Sequence, residues 1–183
     1  MPALPKSLFH LGADFLTARA ARRLRRPQKS VPAQHRIWQR LVAKMAATAY
    51  GRKTGLERGM GYAAFRERVP PQTYEQFAPQ IERMKRGEAD VLWPGRCTHY
   101  AVSSGTTAGR TKYLPVTPEM LEHFRQAGLD SLLFYTARVG HARIFRGRHL
   151  FLGGSATLAP LPESAPFVAY GGDLSGIAAL NLP

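Results

Sequence analysis

Acidic residues, cysteine and long apolar runs are what this chain has least of. Twelve Asp and Glu stand against 26 Lys and Arg in 183 residues, a net charge of +14. The excess is uneven: residues 1–60 carry thirteen Lys and Arg against only Asp14 and Glu57, whereas residues 61–183 are close to balance. A single cysteine, Cys97, excludes an internal disulfide and a CxxC metal knuckle, and it fits a cytoplasmic protein. No stretch of eighteen apolar residues occurs, which excludes a transmembrane helix. The six histidines are scattered without metal-ligand spacing, so no metal site is assigned. What is present, 44% hydrophobic residues with nine Phe and two Trp, suffices for one core of moderate size.

The basic excess belongs to an N-terminal arm, residues 1–31. Leu8, Leu11 and Phe15 recur there at helical spacing, and Arg19, Arg22, Arg23 and Arg26 fall on one helical face until Pro27 ends it. Such a face suits anionic lipid, nucleic acid or a targeting peptide, and equally a plain solvated helix. Beyond it, Ile37, Trp38, Leu41, Val42, Met45 and Ala49 trace an apolar stripe from about 32 to 50, with Gly51 placed to end that helix. A glycine-rich linker, 51–61, leads to a short helix at 62–68 stopped by Pro70 and Pro71. Thr73 and Gln76 have capping-box spacing before a helix carrying Phe77, Ile81 and Met84, closed by Gly87.

Strands are expected at 98–102 and 113–116, followed by the longest helix, from Pro118 to about Val139 before Gly140. Residues 148–152 have the composition of a buried strand, and 153–172 that of a long Gly/Pro loop. The fold class is therefore α/β, helices packed on a partial sheet.

Between the first two strands lies Ser103-Ser-Gly-Thr-Thr-Ala-Gly-Arg-Thr-Lys112. Gly105 and Gly109 let main chain approach a ligand, while Ser103, Ser104, Thr106 and Thr107 supply hydroxyls and Lys112 supplies charge. The spacing is not that of a nucleotide P-loop, whose glycines have four residues between them rather than three and whose lysine follows the second directly. From the residues alone, the segment is either a polyphosphate cradle or a Ser/Thr/Gly turn with Lys112 solvated.

The pattern Ser103-Ser-Gly-Thr-Thr-x-Gly-x-x-Lys112-x-x-Pro115 resembles the first signature of the adenylate-forming enzymes, the acyl-CoA synthetase and luciferase superfamily. The double serine and Lys-x-x-Pro are similar, more narrowly, to the acyl-acid amido synthetases known as products of auxin-responsive plant genes. Thr48-Ala-Tyr-Gly51, Phe65-Arg-x-x-Val-Pro70, Tyr74-Glu75, Ile81-Glu-Arg83, Gly87-Glu88 and Leu92-x-Pro94 resemble that family's N-terminal region in order and spacing, and Gly171-Gly-Asp-Leu-Ser-Gly-Ile177 does so less distinctively.

The resemblance implies an ATP-dependent ligase that adenylates a small carboxylic acid and transfers the acyl group to an amine such as an amino acid, with ATP and Mg as cofactors. It implies that Ser103, Ser104, Gly105, Thr106, Thr107, Gly109 and Lys112 hold the nucleotide phosphates. Gly128, Ser131, Leu132 and Tyr135 on the helix after the loop are candidates for the acyl-acid pocket, or simply for packing. Family members are several times longer. Residues 32–183 are therefore expected to be an incomplete N-terminal portion of the large adenylation domain, with the mobile C-terminal domain absent and the fragment inactive alone. The alternatives are a basic module for nucleic acid or an anionic surface, and a nonfunctional remnant.

Overall fold

The computed structural model describes residues 6–25, 30–103, 111–146, 157–164 and 166–172. Two compact units divide them. One holds residues 6–25 and 118–146; the other holds 30–103, 111–117, 157–164 and 166–172.

In the first unit, α1 (Lys6–Leu24) lies against α6 (Pro118–Val139) and a 3-10 turn, Arg143–Arg146. The residues that α1 buries are Ala13, Thr17 and Ala20, whose small side chains let the two helices approach closely. They meet Leu133, Ala142 and Phe145, with Phe9, Leu129 and Leu132 packed alongside. Thr17 Oγ1 donates to Thr136 Oγ1 at 3.0 Å, and Thr136 Oγ1 donates to the Leu133 carbonyl at 2.8 Å, so the polar pair inside this seam is satisfied. The apolar stripe legible in the sequence, Leu8, Leu11 and Phe15, is instead exposed. The long helix starts and stops where expected, with Gly140 at φ 80°.

The second unit begins with α2 (Ser30–Ala46), which ends four residues before the expected stop. Thr48 caps a separate short helix, α3 (Ala49–Thr54): its Oγ1 accepts from Gly51 N–H at 3.0 Å and donates to the Met45 carbonyl at 2.7 Å. Gly51 is thus inside α3 and does not end α2. A Cβ there would stand 1.9 Å from the Met45 carbonyl oxygen, so glycine is what lets α3 abut the end of α2. The positive-φ cap belongs to Gly55, at φ 66°. The first amides of α3 bond onward, Ala49 N–H to Asp90 O and Tyr50 N–H to Val91 O, at 2.7 and 3.0 Å.

Then come α4 (Tyr62–Arg68) and α5 (Tyr74–Lys85), both where the sequence places them. Gln76 Oε1 accepts from Thr73 N–H at 2.7 Å, one arm of the expected capping box.

Among the described residues four short strands form the sheet, in the order β2-β1-β4-β3. β1 (His99–Val102) and β2 (Tyr113–Val116) are antiparallel with Val102 opposite Tyr113. β4 (Tyr170–Gly172) runs parallel to β1, and β3 (Leu158–Pro160) antiparallel to β4. These last two strands replace part of the loop expected over 153–172. Each has three residues, too few to alternate visibly; at Gly171 a Cβ would meet Leu161 and Val102 at 2.9 and 3.3 Å, so glycine suits that close approach. The expected strand at 148–152 lies outside the described residues.

Ile81 and Met84 of α5 pack on the sheet with Val91, Cys97, Tyr100, Leu161 and Ala169. Full burial of each such large side chain stabilises by about 1.5–3 kcal/mol. The result is a mixed α/β architecture in which one helix, α5, supports the strands that flank the Ser/Thr/Gly segment.

Candidate functional site

Segment 103–112 leaves β1 and enters β2, and its two ends are tied together. Ser103 N–H donates to the Lys112 carbonyl at 3.0 Å, and Lys112 N–H donates to Ser103 Oγ at 3.3 Å. The pair extends the antiparallel ladder by one step past Val102 and Tyr113. Ser104, Gly105, Thr106, Thr107 and Gly109 lie outside the described residues.

Lys112 does not stand free. Its Nζ is 3.1 Å from Glu75 Oε1 and 5.1 Å from the centre of the Tyr74 ring, over its face. The Tyr74 hydroxyl reaches the next residue: Tyr113 N–H donates to it at 2.9 Å, and it donates to the Tyr113 carbonyl at 3.4 Å. Among the described residues β2 is an edge strand, so Tyr74 satisfies backbone groups that the sheet leaves unpaired there. Glu75 lies in the first turn of α5. Its own backbone N–H, Lys112 and Thr73, in that order, hold its carboxyl below the usual carboxylate range.

Tyr74 and Glu75 carry no functional assignment from sequence reasoning. Both belong to the upstream pattern, but Tyr74 meets Tyr113 across 39 positions and Glu75 meets Lys112, contacts with no local periodicity to reveal them.

On the other side of the same strand, the Lys85 ammonium is buried 4.2 Å from the Tyr113 ring centre. It is paired with Glu82 at 3.0 Å and with Glu163. Burial pulls its pKa down, but the hydrogen bonds to Glu163 and Glu82 outweigh that and raise it, so the charge is kept. Cys97 is buried, its Sγ donating to the His99 carbonyl at 3.2 Å, and burial pushes the thiol pKa up. That is a packed thiol and not an activated nucleophile.

Gly128, Ser131, Leu132 and Tyr135 share one face of α6, in the unit that does not contain Ser103 and Lys112. Ser131 bonds back to the Ala127 carbonyl at 2.8 Å, Leu132 packs into the core of that unit, and Tyr135 is exposed. In the same unit Leu8, Phe9, Gly12, Leu16, Leu129 and Phe145 line an open apolar groove of about 240 Å³. Among the described residues no three His, Cys, Asp or Glu side chains converge to hold a metal ion, and no helix is long and apolar enough to cross a membrane.

The chain is similar to known proteins in sequence and in fold. A probable indole-3-acetic acid-amido synthetase of Oryza sativa subsp. japonica is 31% identical over 119 residues, 64% of this chain and 19% of the relative. A jasmonoyl–L-amino acid synthetase of Nicotiana attenuata is 27% identical over 150 residues, 81% of this chain and 24% of the relative. The chain thus spans about a fifth to a quarter of the length of these two curated relatives. The solved structure of an acyl acid amido synthetase, GH3.15, shares the fold over 97% of this chain and 29% of its own, with a TM-score of 0.62 at 19% identity. Residues 24–157 match the model of the GH3 family N-terminal domain, and the chain belongs to that family of amido synthetases.

Proposed function

We propose that this chain supplies the polyphosphate-binding portion of an ATP-dependent acyl-acid amido synthetase acting in the cytoplasm. The observation that carries the proposal is the closure of Ser103 on Lys112, which sets a lysine at the exit of a segment rich in glycine and hydroxyls. In the first half-reaction a carboxylate oxygen bonds to the α-phosphorus of ATP, the bond to the bridging oxygen of the β-phosphate breaks, and pyrophosphate leaves. In the second, an amine attacks the acyl carbon, forms the amide and expels AMP.

Negative charge gathers on the departing pyrophosphate. The hydroxyls of Ser103, Ser104, Thr106 and Thr107, the amides of Gly105 and Gly109, and the Lys112 ammonium are the groups this chain offers against it. A preorganised donor of this kind is worth ~10²-fold in rate. Mg would accompany ATP as a counter-ion to its phosphates, and no step is given to it. The α6 face with Gly128, Ser131, Leu132 and Tyr135 is offered to the acyl acid. The substrate class follows from relatives named for indole-3-acetic acid and for jasmonoyl–L-amino acid conjugates.

In domain terms, residues 1–31 are a basic arm and 32–183 part of an adenylation domain. Because the chain spans only 19% and 24% of two relatives, polyphosphate binding without turnover is the expected behaviour of the chain alone. Calorimetry should detect pyrophosphate binding that Lys112→Ala weakens, while ATP-dependent pyrophosphate release with a panel of carboxylic acids stays at background. In a full-length relative, replacing the matching lysine should slow adenylation more than amide transfer. Equal slowing of both steps would remove Lys112 from the first.

A second function, contact with nucleic acid or an anionic surface, is favoured by exposed Arg19 and Arg22 on α1. It requires binding that falls steeply with salt and disappears in an Arg19→Gln/Arg22→Gln variant.

A further inference from the structure

The Lys112 ammonium is committed to a carboxylate rather than left for solvent. Glu75 Oε1 stands 3.1 Å from it, Tyr74 offers its ring face below it, and the Tyr74 hydroxyl clamps the adjoining Tyr113 backbone through its N–H and carbonyl. Both residues sit at the start of α5, which the Ile81 and Met84 side chains root in the core. The lysine is therefore anchored to a fixed helix end and not to a wandering side chain. A carboxylate oxygen carrying part of a negative charge, at hydrogen-bond distance from an ammonium, is the same chemistry that a phosphate oxygen presents.

We infer that Glu75 is a positioning residue for Lys112, a carboxylate that stands in for phosphate and is displaced when a polyphosphate arrives, while Tyr74 fixes the strand carrying the lysine. The inference rests on the polyphosphate role proposed above and adds to it a built-in competitor. The Glu75 side chain is 69% exposed and that of Lys112 40%. Exposed pairs of this kind are weak, so the competition is soft: it tunes affinity by about two- to five-fold and does not block the site.

Acetylation of the full chain by acetic anhydride, with peptide mass spectrometry reading Lys112, measures this directly. Exposed Lys53 on α3 serves as the internal control. Inorganic pyrophosphate should protect Lys112 and leave Lys53 untouched. In Glu75→Gln, half-protection should come at about two- to five-fold lower pyrophosphate. Tyr74→Phe keeps the ring under the ammonium but releases Tyr113, and should shift half-protection the other way. Glu75→Ser, which suits a first helical turn, provides a second variant should the glutamine form fold poorly.

Protection at equal or higher pyrophosphate in both Glu75 variants would overturn the stand-in role and leave the polyphosphate site intact. No protection in any form, wild type included, would overturn the polyphosphate site and this inference with it.

Discussion

Thr48 and Gly51 illustrate how a short pattern encodes a junction. The buried threonine hydroxyl caps α3 and ties it to the last turn of α2, and the glycine removes the Cβ that would strike the Met45 carbonyl. Gly51→Ala is expected to cost of order 3 kcal/mol, since backbone rather than a flexible side chain must give way. Thr48→Ala should cost about 1 kcal/mol, and Thr48→Ser much less because the cap is retained. Urea unfolding midpoints check both. If Gly51→Ala proves neutral, the tight abutment is wrong. At this scale the strands that bracket the loop were legible, because short apolar runs flank its hydroxyls and glycines. The partners of Lys112 were not. Glu75 and Tyr74 meet it only through tertiary folding, and the sequence displays them merely as the start of a helix.

Elements with strong local signals appear where they were expected. Gly and Pro punctuate α4, Thr73 and Gln76 start α5, and Pro118 and Gly140 bracket α6. β3 and β4 were illegible as strands because each has three residues, and Pro160, Gly171 and Gly172 give no alternation to detect. α1 shows a different failure. Its large apolar residues drew attention, whereas its contact with α6 is made by small ones, Ala13, Thr17 and Ala20. Close approach of two helices favours small side chains, and a hydrophobicity count undervalues them. The Thr17–Thr136 hydrogen bond at the centre of that seam gives a test. Thr17→Val keeps the volume but removes a donor to a buried hydroxyl, and should destabilise by about 1–2 kcal/mol. Thr17→Val combined with Thr136→Val should cost less than the sum of the single changes, because neither hydroxyl is then stranded. Full additivity in denaturant unfolding would show that the two side chains do not communicate.

Across the whole molecule, the family patterns upstream of the loop supply scaffold as well as the partners of Lys112. Ile81 and Tyr74 place α5 on the sheet, Gly87 sits at φ 83° with Phe167 where a Cβ would go, and Arg83 pairs with Glu88 as the helix closes. Ion pairs add to this scaffold, so its stability follows pH. Lys85 holds the Glu163 carboxyl below the usual range, and Arg83 does the same for Glu88. A carboxyl depressed in the folded state adds stability above its unfolded pKa and loses it as pH falls through the folded one. The opposite limb comes from groups raised on folding: Cys97 and Tyr100 by burial, Lys85 by its two glutamates against burial. Their contribution is present below the unfolded values and is lost as pH rises through the folded ones. The melting temperature should therefore hold a plateau around neutral pH, fall below the ordinary carboxylate range and fall again above the ordinary thiol range. Glu163→Gln isolates one term. It should melt below wild type at neutral pH, and the gap should close as acid protonates Glu163 in the wild type. A gap that persists unchanged at low pH would mean that Glu163 acts through packing, and that the Lys85 ion pair does not carry the acid limb.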